Sequence, residues 1–194
     1  MRKKLSVFIT PVARLVAAGK VHPNAVTLTG LAISFLAPAL AVYAPTLVPV
    51  AIAASAYMDA VDGAVARLTN RVSRRGAFLD SFSDRVEELM YCIALGLMGL
   101  PMIAIVVFVA TSYLISYLRA LGELRGVKME GVGLFERGER VLVVLAVSIM
   151  LLLLGGGPFS VPSIVLYAAI ALNVVTIVQR FAHVWRNLRE ENAT

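Results

Sequence analysis

The sequence predicts an all-α, polytopic integral membrane protein: six transmembrane helices preceded by a short interfacial amphipathic helix. Composition is the first reason. Of 194 residues, 59% are hydrophobic and 15% charged, and the mean hydropathy is +0.84, whereas a soluble domain carries about 25% charge. A soluble chain of this length could not cover so much apolar surface, and the same composition excludes disorder. The second reason is charge placement: residues 21–58, 89–118 and 141–179 contain no Lys, Arg, Asp or Glu. One bilayer crossing takes about 20 residues, so the first and third runs each suit two. The third reason is that all 18 basic residues fall on one side of the resulting arrangement.

Residues 3–18 come first. Leu5, Phe8, Ile9, Val12, Leu15 and Val16 recur at helical spacing, as in a helix lying in the membrane interface. Pro11, Arg14 and Lys20 interrupt any signal-peptide core there. Spans are then expected over 23–43 and 47–69, parted at Ala44-Pro45-Thr46; over 75–98 and 102–125, parted at Gly99-Leu100-Pro101; and over 136–154 and 160–187, parted at Gly155-Gly156-Gly157-Pro158. This makes one membrane domain over 1–194, with its transmembrane core at 23–187.

The basic residues group at the start (Arg2, Lys3, Lys4, Arg14, Lys20), around the second turn (Arg67, Arg71, Arg74, Arg75, Arg85), around the fourth (Arg119, Arg125, Lys128, Arg137, Arg140) and at the end (Arg180, Arg186, Arg189). The positive-inside rule then puts both termini in the cytoplasm of a multi-pass cell-membrane protein. A net charge of +6 in such a protein meets anionic headgroups and phosphates rather than nucleic acid. Cys92, the single cysteine, excludes an intrachain disulfide and a cysteine zinc cluster.

The chemistry lies at the cytoplasmic ends of the second and third spans. Asp59 and Asp62 are three apart, Asp80 and Asp84 four apart, so each pair shares a helix face. Carboxylates within membrane helices are costly and indicate function. Four together repel unless cations lie among them. Oxygen-only ligation selects Mg²⁺ or Mn²⁺, with Ca²⁺ a further hard option, and four carboxylates suffice for two ions. Gly63 lets a ligand approach the backbone, Ala66 and Gly76 are small, and Arg67 suits a phosphate.

The pattern Asp59-x2-Asp62-Gly63-x2-Ala66-Arg67-x8-Gly76-x3-Asp80-x3-Asp84 resembles the signature of the CDP-alcohol phosphotransferase family at every fixed position. The resemblance implies a six-helix membrane enzyme that condenses a CDP-linked donor with an alcohol and releases CMP. It implies that Asp59, Asp62, Asp80 and Asp84 are metal ligands, with Asp84 also the general base. Gly63, Arg67 and Ser73 would contact the nucleotide and diphosphate. Asn24, Ala25, Val26 and Thr27 match the family's P-N-x-(V/I)-T stretch, which touches the CDP-lipid. The family also implies a homodimer, which the Gly and Ala residues along the third and fourth spans permit.

Arg119, Arg140 and Arg180 come from three different spans near one depth. If they converge they form an anion pocket, favouring a phosphorylated acceptor; each alone also fits a snorkelling residue. Ser116-Tyr117-Leu118-Arg119-Ala120, Glu136-Arg137-Gly138-Glu139-Arg140 and Arg180 resemble the inositol-phosphate-using branch of the family, phosphatidylinositol-phosphate and archaetidylinositol-phosphate synthases. The implied acceptor is inositol 1-phosphate, ahead of glycerol 3-phosphate or a reaction with a CDP-inositol donor. A divalent-cation transporter is the alternative from another class, and the uncharged outer halves of the second and third spans disfavour it. His22 and His183 read as isolated, Trp185 as an interfacial anchor, and the partners of Glu87 and Glu88 are open.

Overall fold

The computed structural model describes residues 2–191, with side chains described over 9–188. Leu5 and Phe8 of the expected apolar stripe, and the basic side chains Arg2, Lys3, Lys4 and Arg189, lie outside the described side chains. The described residues form α1 (Arg2–Ala18), α2 (Pro23–Tyr43), a 3-10 turn (Pro45–Leu47), α3 (Val48–Leu68), α4 (Arg74–Leu97), α5 (Met102–Leu124), α6 (Arg137–Leu154) and α7 (Val161–Glu191). Every expected helix is present. Only α7 departs from its expected ends by more than one residue; nothing in Asn187-Leu188-Arg189-Glu190-Glu191 breaks a helix.

Four segments are long and apolar enough to cross a membrane: Pro23–Tyr43, Pro45–Leu68, Met102–Leu124 and Val161–Leu188. Sequence runs predicted six. The other two carry charge inside the helix: Asp80, Asp84, Arg85, Glu87 and Glu88 on α4, and Arg137, Glu139 and Arg140 on α6. These include residues singled out for chemistry.

The chain packs as two compact units, Met1–Leu97 and Met98–Thr194. In the first, α2 packs on α3 and α4, and α1 on α3. Ala13 of α1 is fully buried with Val26, Val61 and Val65, and Ile9, Val12 and Val16 pack around them. This apolar stripe of α1 therefore covers α3, while Leu15, on the same predicted stripe, faces outward at 73% exposure. The α2–α3–α4 junction is tied by buried hydroxyls: Tyr91 donates to Ser55 Oγ at 2.7 Å, and Ser55 donates to the Gly30 carbonyl at 2.7 Å. Glu87 Oε2 lies 3.4 Å from the Tyr91 hydroxyl, and Cys92 is buried beside it as a packing residue.

In the second unit α7 packs on α5 and α6. Asn173 of α7, fully buried, donates to Thr111 Oγ1 at 2.9 Å and Ser112 Oγ at 3.2 Å on α5. Interhelical polar contacts of this kind hold helices where lipid gives no hydrophobic drive.

Candidate active site

Both ends of the α3–α4 connection are set by local chemistry. Asn70 takes the left-handed conformation, φ 53°, which asparagine tolerates better than most residues. Its N–H reaches the Arg67 carbonyl, and the Arg71 N–H returns to the Ala66 carbonyl at 2.9 Å, the paired bonds of a Schellman helix end. The chain then turns at Ser73, whose Oγ accepts from the Gly76 N–H at 3.0 Å and caps α4. α2 begins nearby with Pro23 at its first turn and the His22 ring accepting from the Asn24 N–H at 3.2 Å. Two helix N-termini thus open on one cavity of about 310 Å³, a placement that favours anions.

That cavity is lined by Asn24, Thr27, Asp62, Gly63, Ala66, Arg67, Ser73, Gly76 and Asp80 among the residues singled out from sequence, and by Pro23, Arg71, Val72 and Ala77 besides. Gly76 permits the close approach: a Cβ there would lie 3.2 Å from Ser73 Oγ and 3.4 Å from Asn24 Oδ1. At Gly63 the Arg67 guanidinium lies overhead, its Nη1 3.4 Å from where a Cβ would stand. Ala25 and Val26 do not line the cavity. Residues 23, 24 and 27 share one face of α2, whereas Val26 turns to the Ala13–Val61–Val65 cluster and Ala25 is exposed.

The four aspartates are distributed unevenly. Asp62 and Asp80 line the cavity; Asp59 and Asp84 do not. Thr27 donates its hydroxyl to Asp62 Oδ2. Asp84 Oδ2 pairs with Arg85 Nη2 at 3.1 Å, and Asp59 Oδ1 lies against α2 at Gly30. Asp59 and Asp80 both act electrostatically on Asp62. Among the described residues no three or more carboxylate, His or Cys side chains close into a metal-ligating group. The donor set still fits a hard divalent cation, since only oxygens are offered and α3 and α4 present carboxylates to one cavity.

In the second unit, Arg180 is 4% exposed and donates from Nε to the Val132 carbonyl at 2.9 Å and from Nη1 to the Ile115 carbonyl at 2.8 Å. Arg140 is 1% exposed, with Nη1 3.4 Å from the Phe135 carbonyl. Arg119 is exposed and pairs with Glu123 at 2.8 Å. Arg119 and Arg140 act on Arg180 through space, countered by Glu136 and Glu123. Arg180 thus lies within electrostatic range of both Arg119 and Arg140. Buried guanidinium groups favour anionic partners.

Sequence reading did not single out Arg71 for the cavity. The signal was Asn70: a left-handed residue after a helix end folds the next residue back over the last turn. His183, read as isolated, has Nε2 3.1 Å from the Lys128 carbonyl. Trp185 stacks on Phe181 with centroids 5.9 Å apart.

The family model for CDP-alcohol phosphatidyltransferase matches residues 20–177. The archaetidylinositol phosphate synthase of Aeropyrum pernix is 37% identical over 86% of this chain and 84% of its own. That of Pyrococcus horikoshii is 31% identical over 93% and 92%. Mycobacterium tuberculosis phosphatidylinositol phosphate synthase, solved with CDP-DAG bound, superposes with a TM-score of 0.74 at 29% identity, covering 91% of this chain and 93% of that one. Its complex with manganese and citrate gives 0.73 at 28% identity, covering 91% and 88%. With the aspartate signature and its cavity, these matches establish that the chain belongs to the CDP-alcohol phosphatidyltransferase family.

Proposed function

We propose that this enzyme transfers a phosphatidyl or archaetidyl group from a CDP-linked lipid to a hydroxyl of inositol 1-phosphate, releasing CMP. The observation that carries this reading is the cavity in Met1–Leu97, whose walls come from the signature itself: Asp62, Gly63, Ala66, Arg67, Gly76 and Asp80. The names of the archaeal relatives support inositol phosphate as the acceptor, and Arg180, with Arg119 and Arg140 in electrostatic range of it, suits its phosphate.

In this reading Asp59, Asp62, Asp80 and Asp84 hold Mg²⁺ or Mn²⁺, two ions in all, as the manganese complex of the mycobacterial protein suggests for the metal type. Bound there, they supply charge neutralisation at the diphosphate and at the departing CMP. Arg67 and Arg71 bind the diphosphate oxygens, and Asn24 and Ser73 position the nucleotide. Asp84 takes the proton from the acceptor hydroxyl, which at neutral pH is a poor nucleophile. The hydroxyl oxygen bonds to the lipid-bearing phosphorus, and the bond from that phosphorus to the bridging oxygen breaks. CMP leaves with the electron pair. Arg119, Arg140 and Arg180 hold the acceptor's phosphate.

The same reading makes 1–194 one six-span membrane domain, with α4 and α6 crossing beside the four apolar segments, α1 at the interface and both termini cytoplasmic. The basic residues clustered at one set of helix ends support that orientation. We take it to work as a homodimer, on the family resemblance. The test is acceptor competition. Purified protein is given Mn²⁺, CDP-diacylglycerol or its ether-isoprenoid counterpart, and inositol 1-phosphate, inositol or glycerol 3-phosphate. CMP release with inositol 1-phosphate well above the others is expected; release as fast with either of the others overturns the acceptor assignment.

A further inference from the structure

Between α5 and α6 the chain does not run free. Residues 127–135 are laid along α7 and fastened at successive turns of one helical face, Thr176, Gln179, Arg180 and His183. The Phe135 N–H donates to Thr176 Oγ1 at 3.1 Å, and the Leu134 N–H donates to Gln179 Oε1 at 3.1 Å. Arg180 Nε donates to the Val132 carbonyl at 2.9 Å, and His183 Nε2 lies 3.1 Å from the Lys128 carbonyl. Val127, Met129 and Phe135 are buried, Met129 seated over Gly122. The segment is a strap, not a linker.

Gly133 sits where the strap comes closest. Its φ is 110°, and a Cβ there would lie 2.6 Å from Thr176 Cγ2 and 3.3 Å from Arg180 Nε. Any side chain must lift the strap from α7. Gly131, two residues earlier, also has a positive φ of 74° but nothing within 4 Å of a Cβ.

The strap takes Nε of Arg180 and the Ile115 carbonyl takes Nη1; Nη2 has no partner within the described residues. Two anchored nitrogens fix the plane of a guanidinium, because its donors form a rigid fork. We infer that the strap aims Arg180 at the acceptor's phosphate and thereby sets acceptor selectivity, with Gly133 and Thr176 as positioning residues. This rests on the reading that Arg180 holds that phosphate.

The experiment uses the full chain with Mn²⁺ and CDP-lipid, varying inositol 1-phosphate and, separately, glycerol 3-phosphate. Wild type comes first: no turnover with either phosphorylated alcohol removes the functional reading and the strap's role with it. Given turnover, the better acceptor is used throughout. Gly133→Ala should raise its KM about tenfold or more, since a small misplacement of a substrate-positioning group is costly. The KM for CDP-lipid should stay within about twofold and the preference between the two acceptors should shrink. Gly131→Ala meets the backbone strain of a positive φ but no clash with α7, so it should raise acceptor KM much less than Gly133→Ala. Thr176→Val, which keeps shape and removes the hydroxyl acceptor, should act in the same direction as Gly133→Ala, with Thr176→Ser restoring the wild-type value. Should Gly133→Ala fail to fold, the Thr176 pair decides alone. Equal effects of Gly133→Ala and Gly131→Ala, an unchanged acceptor KM in Thr176→Val, or matched rises in both substrates' KM would each overturn the inference.

Discussion

Thr27 donates its hydroxyl to Asp62, so a residue matched to the lipid-contacting stretch also orients a candidate metal ligand. Partners of that kind fix the carboxylate, and their loss typically costs about 10–100-fold in metal affinity. Thr27→Val should therefore raise the Mn²⁺ concentration for half-saturation by about that factor, with Thr27→Ser close to wild type; Mn²⁺ binding followed by electron paramagnetic resonance checks it without relying on turnover. Asp84 is paired with Arg85 rather than drawn into the cavity. If it is the base, Asp84→Asn should lower kcat about 10²–10⁴-fold while leaving the KM for CDP-lipid near wild type. A loss of CDP-lipid binding alone would assign it to the donor instead. Residue types and spacing made these aspartates legible in the sequence. What spacing could not give was the rotamer each carboxylate takes, because that depends on donors from other segments: Thr27 on α2, and Gly30's open face beside Asp59.

At the scale of elements, the helices were legible because apolar runs and proline or glycine breaks are local properties. Helix ends were legible only in part. α1, α3 and α5 each end with a left-handed residue, Lys20, Asn70 and Gly126, followed by a bond back over the last turn. Glycine announces such an end; lysine does not. The α3 ending matters most, since it carries Arg71 and Val72 onto the cavity wall. A β-branched residue at Asn70 meets the left-handed steric penalty of about 1–2 kcal/mol. Asn70→Val should therefore raise the KM for CDP-lipid several-fold, and Asn70→Gly should not, because glycine takes this conformation without strain. Steady-state kinetics at saturating acceptor separate the two. The charged faces of α4 and α6 were likewise visible in sequence, but counting charge-free runs passes over the charge at a helix end, and it is this charge that sets those two helices apart from the four apolar segments.

Across the whole molecule, chemistry divides along the chain. Met1–Leu97 holds the aspartates and the cavity with Arg67; Met98–Thr194 holds Arg119, Arg140, Arg180 and the strap. The signature made the first half legible at residue level. In the second, Arg119, Arg140 and Arg180 were legible from the patterns around them, but the strap was not, because it is a run of backbone bonds to α7 side chains with no sequence period. If donor and acceptor binding follow this division, single substitutions should split cleanly. Losing a charge-assisted hydrogen bond costs about 1.5–3 kcal/mol, or roughly 10–150-fold. Arg67→Ala should raise the KM for CDP-lipid by about ten- to a hundredfold and leave acceptor KM near wild type. Arg180→Ala should do the converse. It removes both the phosphate contact and a strap anchor, and both act on the acceptor, so the donor constant is spared whichever loss dominates. A full initial-rate matrix in both substrates measures the four constants. Parallel rises in both constants for either variant would show that its arginine works through overall electrostatics and not through one substrate.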